Sequence, residues 1–429
     1  MKPLDRARGW LSTDAARLLI FAVVVRILWW AVMASDPSRF FEPDSGGYLA
    51  LSTSLSSGEG FSVAGAPEFI RTPGYPGFLA VIQWVVGDSA RVLALVQAVV
   101  TAVFVVPLRR LSGVLLPRRT ANIVVVLMAV HPLILYHSTM LLTEALSLLL
   151  VLILAERLVR LLKAGNGRMV DWLIVGLVVA VLTHVRPIAY FLTPVLVMVV
   201  VLVLRRRRVD IPSILARVGC LALVPLLAIG GWQIRNKVEV DSWRFSGIEA
   251  VNMYLYRAAG VIGYQEGRDW LEVREDLRND FGQPREGEEV GPYFDRMYGE
   301  GLDVLRSDLG ATAVITARGL ADTALGDSRD PDRFLSYFNL ESQSLITWAM
   351  WIVMAMLWVA AALGVKRARE SGSGAVATVL AVIVVYMVVL SAGPEAYSRF
   401  RTPVEPLLWL LAAVGVIGLR ERRKYPRQA

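Results

Sequence analysis

The sequence is poor in the residues that staple, chelate or solubilise a protein. One cysteine, Cys220, sits inside an apolar run, so no intramolecular disulfide is available and a cluster of thiolate ligands is excluded. Only three histidines occur, at 131, 137 and 184, and their scatter matches no metal-binding spacing. Charged residues make up 19% of the chain, fewer than the surface of a soluble protein of 429 residues calls for. No internal repeat is visible, which disfavours a transporter built from duplicated halves. Low-complexity sequence is confined to the Gly/Ser stretch 371–374. What fills the chain is apolar: 55% hydrophobic residues and a mean hydropathy of +0.52. They gather in runs of about 16 to 22 residues, long enough to cross a hydrocarbon layer of ~30 Å as helices. A soluble enzyme, a secreted disulfide scaffold and a disordered chain are excluded, and the chain reads as an all-α polytopic membrane protein.

The net charge of +8 does not point to nucleic acid once its placement is read. Lys and Arg cluster in six short connectors: Lys2, Arg6, Arg8 and Arg17; Arg109, Arg110, Arg118 and Arg119; Arg157, Arg160, Lys163 and Arg168; Arg205 to Arg208 with Arg217; Lys366, Arg367 and Arg369; and the tail from Arg420 to Arg427. Placing all six in the cytoplasm satisfies the positive-inside rule, with 25 of 45 basic residues there against 7 of 37 acidic ones. The other face is then acidic, and Arg26, inside the first span, is the one basic residue assigned to neither face.

Ten spans fit this assignment with both termini inside: roughly 15–34, 90–108, 119–138, 144–162, 171–185, 188–204, 212–232, 343–363, 375–392 and 403–419. Counting the apolar segment 73–87 as an eleventh would invert every later connector, so it is expected to be re-entrant or to lie along the surface. A cleavable signal peptide is the competing reading of residues 2–34, but Arg26, Trp29 and Trp30 interrupt the apolar region and favour an uncleaved first span in 1–34. Two outer segments exceed mere connectors: 35–89 and 233–342. They flank a transmembrane bundle at 90–232, and the second is followed by C-terminal spans in 343–419 and a basic tail at 420–429. The second outer segment carries apolar residues at helical spacing, Trp270, Val273, Leu277 and Phe281, then Phe294, Tyr298, Leu302, Leu305 and Leu309, as amphipathic helices over the bundle mouth would.

Charge-bearing motifs stand at the outer ends of spans. Phe40-Phe41-Glu42-Pro43-Asp44-Ser45-Gly46-Gly47-Tyr48 places two carboxylates just beyond the first span. A helix starting near Ser45 would make Asp44 its N-cap; alternatively, one carboxylate is a general base at the membrane boundary. Arg71-Thr72-Pro73-Gly74-Tyr75-Pro76 fixes the direction of an arginine whose planar fork suits a lipid-linked phosphate, or which snorkels to headgroups. Leu142-Thr143-Glu144 puts a carboxylate at the start of the fourth span, where it would also favour the positive end of that helix. His184-Val185-Arg186-Pro187 forms an outer hairpin. Trp232-Gln233-Ile234-Arg235-Asn236 follows the seventh span. Phe400-Arg401-Thr402-Pro403-Val404-Glu405-Pro406, preceded by Arg399, joins the last two spans, and either arginine there has Glu395 or Glu405 within reach for a local pair. Charges recurring at these outer ends mark a pathway or a site, because near-membrane charge is costly.

In this order the motifs resemble the GT-C superfamily, and within it the bacterial polyprenyl-phosphate-sugar-dependent transferases related to protein mannosyltransferases and to the aminoarabinose transferase of lipid A. The resemblance runs from position 42 to 406. It departs from some relatives in lacking a long C-terminal soluble domain and an obvious sequon-recognition motif, so oligosaccharyl transfer to Asn is not supported. The resemblance implies a GT-C-like bundle in the cell membrane, active on its extracytoplasmic face. Its implied partners are a polyprenyl-phosphate-linked sugar donor, a hydroxyl acceptor of the cell envelope and membrane lipids, with no nucleic acid. No cofactor is obligatory, a divalent metal staying open. Asp44 and Glu42 are the implied catalytic carboxylates, Arg71, Arg186, Arg399, Arg401 and His184 the donor-phosphate ligands, and Glu144, Tyr48, Tyr75, Arg235 and Asn236 the sugar or acceptor contacts. A flippase of lipid-linked sugars and a lipid-linked glycan polymerase or ligase are the rival readings.

Overall fold

The computed structural model describes residues 13–165, 167–326 and 344–424. Lys2, Arg6 and Arg8, the end of the second outer segment and Arg427 lie outside the described residues. Helices occupy each of the ten segments expected to span. Six are long and apolar enough to cross a membrane: Thr13–Met33, Ala90–Leu115, Pro187–Arg206, Ile211–Val240, Ile346–Glu370 and Ser398–Ile417. Arg118–Ala129 with Pro132–Thr139 is a seventh if the pair, bent by 50°, counts as one span. Of the other three, Glu144–Ala164 carries Glu156, Arg157 and Arg160, while Met169–Val185 and Gly374–Leu390 are 17 residues each. The bend follows from sequence, since Pro132 opens the second half and disfavours helical backbone at His131. Arg26 is buried against that break, donating to the Ala129 carbonyl (3.4 Å) with its guanidinium 4.8 Å from the Phe104 ring centre. A helix end with unmet carbonyls thus accommodates the charge in the middle of the first span.

The seventh span differs from expectation. Its helix runs on to Val240 and stops only where Asp241 turns left-handed (φ 56°), so the Trp232–Asn236 motif is helical and the second outer segment starts eight residues later than 233. The last helices pack closely because Gly364 faces the Leu411 carbonyl and Gly415 the Ala360 carbonyl, leaving no room for a Cβ at either. In the outer segment, helices Trp270–Phe281 and Val290–Ser307 bury Val273, Phe281, Phe294 and Met297, with Leu277, Tyr298 and Leu305 packed beside them. Leu309 is exposed instead, because Asp308 accepts from the Ala311 amide (2.8 Å) and starts a new helix, Leu309–Leu325.

Among the described residues, basic connectors from the first half of the chain meet at one end of the bundle. Arg118 forks onto Asp14 of the first helix (2.6 and 2.7 Å), Arg110 approaches Glu156 (3.9 Å), Arg207 donates to the Leu162 carbonyl and Arg217 to that of Gly165 (3.1 Å). Helix Glu144–Ala164 therefore has its C-terminal turns among these cations and its N-terminus at the other end, where the outer motifs lie.

Candidate functional site

Helix Ser45–Ser57 begins as the motif predicts, with Asp44 at its N-cap position, yet the Asp44 carboxylate makes no capping hydrogen bond. It turns instead to two arginines: Arg399 Nη2 donates to Oδ2 at 3.1 Å, and Arg71 Nη2 lies 3.9 Å from Oδ1. Arg399 reaches further in, donating from Nε to Glu144 Oε1 at 2.6 Å, and Arg186 Nη1 lies 3.5 Å from the same oxygen. Five motifs spread from residue 44 to 399 thus close into one chain of charge, Arg71, Asp44, Arg399, Glu144 and Arg186. Side-chain exposure falls along it, from 47% at Asp44 and 24% at Arg71 to 12% at Arg399, 9% at Arg186 and 0% at Glu144. Asp44 and Arg71 are therefore the groups an incoming molecule meets, and Glu144 is the floor.

Each member is aimed by its surroundings. Glu68 Oε1 accepts from the amides of Ile70 (2.7 Å) and Arg71 (2.9 Å), fixing the backbone from which Arg71 extends. Gly47 lacks the Cβ that would overlap the Arg71 guanidinium, and the Tyr48 ring lies 5.2 Å below that group. Burial, with Asp44 beside it, pushes the Tyr48 phenol up to about 12. Helix Gly74–Val86 starts with a glycine because its Cα abuts the backbone of His184 and Val185, locking the Arg71 turn against the Arg186 hairpin. Phe400 stacks near Arg186 (5.4 Å) and Arg399 (6.0 Å). Glu144 Oε2 and Arg186 Nη1 are buried without a hydrogen-bond partner, which is unusual for charged groups.

Other expected site residues are placed differently. Glu42 accepts from the Tyr136 hydroxyl (2.7 Å). Tyr75 is buried, its hydroxyl donating to Gln97 Oε1 (2.7 Å), so it serves the core beside the site. Glu144, expected to contact sugar or acceptor, is sealed between two arginines. Arg401 pairs with Glu405 (2.5 Å) and donates to the carbonyls of Thr323 (2.7 Å) and Ala324 (2.8 Å). The His184 ring packs on Phe245 and Trp232, its Nδ1 2.8 Å from the Ala180 carbonyl. Arg235 donates to the carbonyls of Glu68 (2.8 Å) and Phe61 (3.1 Å), clamping the hairpin Ser62–Val63/Ala66–Pro67. Asn236 donates to the carbonyls of Arg244 and Phe245, folding back the chain after the seventh span. Two residues that motif reading passed over hold the frame. Gln97, buried in the second span, joins Tyr75 to the carbonyls of Ser138 (3.2 Å) and Met140 (2.6 Å), and Tyr136 holds Glu42. A glutamine inside an apolar run was the available signal for the first.

Among the described residues, no three His, Cys, Asp or Glu side chains group closely enough to hold a metal ion. The family model for dolichyl-phosphate-mannose-protein mannosyltransferases matches residues 71–232, which include Arg71, Glu144 and Arg186 but neither Asp44 nor Arg399. Two structures from Archaeoglobus fulgidus share the fold. One is the archaeal oligosaccharyltransferase AglB in complex with an inhibitory peptide and a dolichol-phosphate, with TM-score 0.56, 10% identity, and coverage of 97% of this chain and 52% of that one. The other is the oligosaccharyltransferase tethered through a disulfide to an acceptor peptide containing the NVT sequon, with TM-score 0.56, 11% identity, and coverage of 96% and 50%. The chain spans about half the length of these proteins. No curated protein sequence matches it.

Proposed function

We propose that this chain, a multi-pass membrane protein of the GT-C superfamily fold, is an inverting glycosyltransferase that moves a sugar from a polyprenyl-phosphate donor to a hydroxyl acceptor on the extracytoplasmic face of the cell membrane. The observation that carries the reading is the approach of Asp44 to Arg71 and Arg399, with Arg186 behind them, at one end of the bundle. The donor's tail lies in lipid and its phosphate takes the forks of Arg71 and Arg399. Those forks now engage Asp44, so phosphate binding releases the carboxylate where the acceptor arrives. The acceptor oxygen bonds to the anomeric carbon as its proton passes to Asp44, and the carbon–oxygen bond to phosphate breaks. Polyprenyl phosphate leaves with one more negative charge than it carried as a diester, and the arginines hold that charge better in the transition state than before it. Displacement in one step on the face opposite the phosphate inverts the anomeric centre. The scheme needs no obligatory cofactor. It draws support from the mannosyltransferase family match and from the solved relative with dolichol-phosphate.

The test uses purified protein, a synthetic polyprenyl-phosphate sugar and hydroxyl acceptors. Asp44→Asn keeps shape and is expected to retain donor binding and melting temperature while lowering turnover about 10²- to 10⁴-fold, the usual worth of a general base. A well-folded Asp44→Asn protein that transfers at the wild-type rate removes the base from the scheme. Movement of donor across vesicles with the sugar–phosphate bond intact would support a flippase instead.

A further inference from the structure

The basic end of the bundle holds a second polar concavity. A cavity of about 390 Å³ opens between the end of helix Val105–Leu115 and the last turns of helix Glu144–Ala164. Arg110, Glu156 and Arg160 form its polar side, and Leu111, Val114 and Val159 its apolar wall. The Glu156 side chain is only 3% exposed, with Arg160 at 3.0 Å, Arg157 at 3.8 Å and Arg110 at 3.9 Å. Three guanidinium groups gather around one carboxylate, and the cavity lining itself carries two basic side chains to one acidic one. The same helix starts at Glu144 in the Asp44 cluster, and the 16 residues to Arg160 correspond to roughly 24 Å of axis, close to the depth of a hydrocarbon layer.

We propose that this cavity binds the phosphate headgroup of an anionic lipid, in the leaflet opposite the Asp44 site. Arg110 and Arg160 stand within the last two turns of their helices, near headgroup depth, and two forks can share the oxygens of one phosphate. The apolar wall faces the position of the lipid's glycerol and upper acyl carbons, which a soluble anion would leave bare. Glu156 keeps the forks in place and repels surplus negative charge, favouring a singly charged phosphodiester over a doubly charged monoester. Basic pockets between transmembrane helices are a recurrent solution for such headgroups.

The test is native mass spectrometry of the purified full-length protein with phosphatidylglycerol or phosphatidylcholine, comparing wild type with Arg110→Gln, Arg160→Gln and Arg168→Gln. Arg168 is an exposed cation on the same face, paired with Asp171 at 3.6 Å. Phosphatidylglycerol is expected to be retained in preference to phosphatidylcholine, with retention cut about tenfold by either cavity substitution, the scale of one charge-assisted hydrogen-bonding group, and unchanged by Arg168→Gln. Arg160→Lys, which keeps the charge and the contact with Glu156, is expected to fold as wild type and to keep part of the binding, so that failed folding of a Gln variant does not decide the matter. Equal retention of the two lipids, or equal loss in Arg168→Gln, would show diffuse surface attraction and overturn the site. Inorganic phosphate that displaces the lipid and remains bound itself would overturn the lipid assignment in favour of a soluble anion.

Discussion

The outer segment and the Asp44 cluster are both built from arginines and carboxylates, yet their charges are wired differently. In the outer segment Arg268 holds Glu266 and Asp276, and Arg274 and Arg278 share Glu275, all within ten residues and all partly open to water. In the cluster Arg399 joins Asp44 across 355 positions and Glu144 across 255, and Glu144 sees no solvent. A local exposed pair can be lost with little consequence because water replaces the partner. A buried pair cannot, and ordering it costs desolvation that the fold retains only where the arrangement has a use.

The largest expected effect tests that contrast directly. Arg399→Leu leaves Glu144 buried with Arg186 alone and is expected to destabilise the protein by about 3–5 kcal/mol, the usual consequence of breaking one side of a buried ion pair. Arg399→Lys keeps a cation beside Glu144 and is expected to restore most of the apparent melting temperature, while sugar transfer stays lowered because the planar fork that reaches Asp44 and Glu144 together is gone. Recovery of both together would mean that Arg399 is only a structural brace. A melting temperature for Arg399→Leu no lower than that of an outer-segment pair variant would end the contrast itself.

How far the sequence led can be seen at particular residues. Spans were legible because apolar runs and basic connectors each carry their own signal, and both survive in the helices and in the Arg-lined end of the bundle. Their boundaries were less so. In the eight extra residues of the seventh helix only Ile234, Val238 and Val240 are apolar, too few to read as a continued span, and the helix goes on where Asn236 and Arg235 find backbone carbonyls. Within the cluster, residue type and motif pointed to Asp44, Arg71, Arg186 and Arg399, but not to their partners. Arg399 and Arg401 are adjacent in any motif, yet Ser398–Val404 is a 3₁₀ helix in which two positions turn the side chain by about 240°. One arginine faces the site and the other ties Glu405 to the end of helix Leu309–Leu325. His184 was separated from Arg186 by the same logic, its ring falling among aromatics. Gln97 and Tyr136 were missed because a framing hydrogen bond leaves no periodic trace.

A subtler change sharpens the comparison. Gly47→Ala adds one methyl group where the Arg71 guanidinium lies, and the flexible arginine is expected to move aside. Alanine is the better helix former by about 1 kcal/mol, so stability should hold or rise slightly. Turnover is expected to fall by about tenfold to a hundredfold, the scale of a 1 Å misplacement in a reacting pair. Unchanged kinetics would show that the position of Arg71 is immaterial to transfer. On the other side of the comparison, Arg268→Ala is expected to leave both stability and turnover essentially unchanged, as exposed pairs do. A larger loss in unfolding measurements would show that the outer segment also relies on its ion pairs.

The smallest effect concerns a bidentate pair in the outer segment. Arg296 donates to both oxygens of Glu288 (3.1 and 2.9 Å), the Arg285 amide donates to it as well (2.9 Å), and these bonds hold the carboxyl at about 2, well below its ordinary value near 4.5. Because the folded carboxyl is the stronger acid, the unfolded chain binds more protons between those two values. The pair's stabilisation is therefore complete above the ordinary value and drains away as pH falls from about 4.5 toward about 2. Glu288→Gln removes the titrating group, so hydrogen exchange of residues 285–296 is expected to be less acid-sensitive in the variant than in the wild type, with the difference vanishing at pH extremes below both values. The Asp44 cluster supplies the control, since Glu288 touches none of its members and sugar transfer at neutral pH should be unaltered by the substitution. Identical acid sensitivity in the two proteins would mean that the fork on Glu288 is no stronger than the open pairs around it, and the pair would then belong with the weak kind of charge.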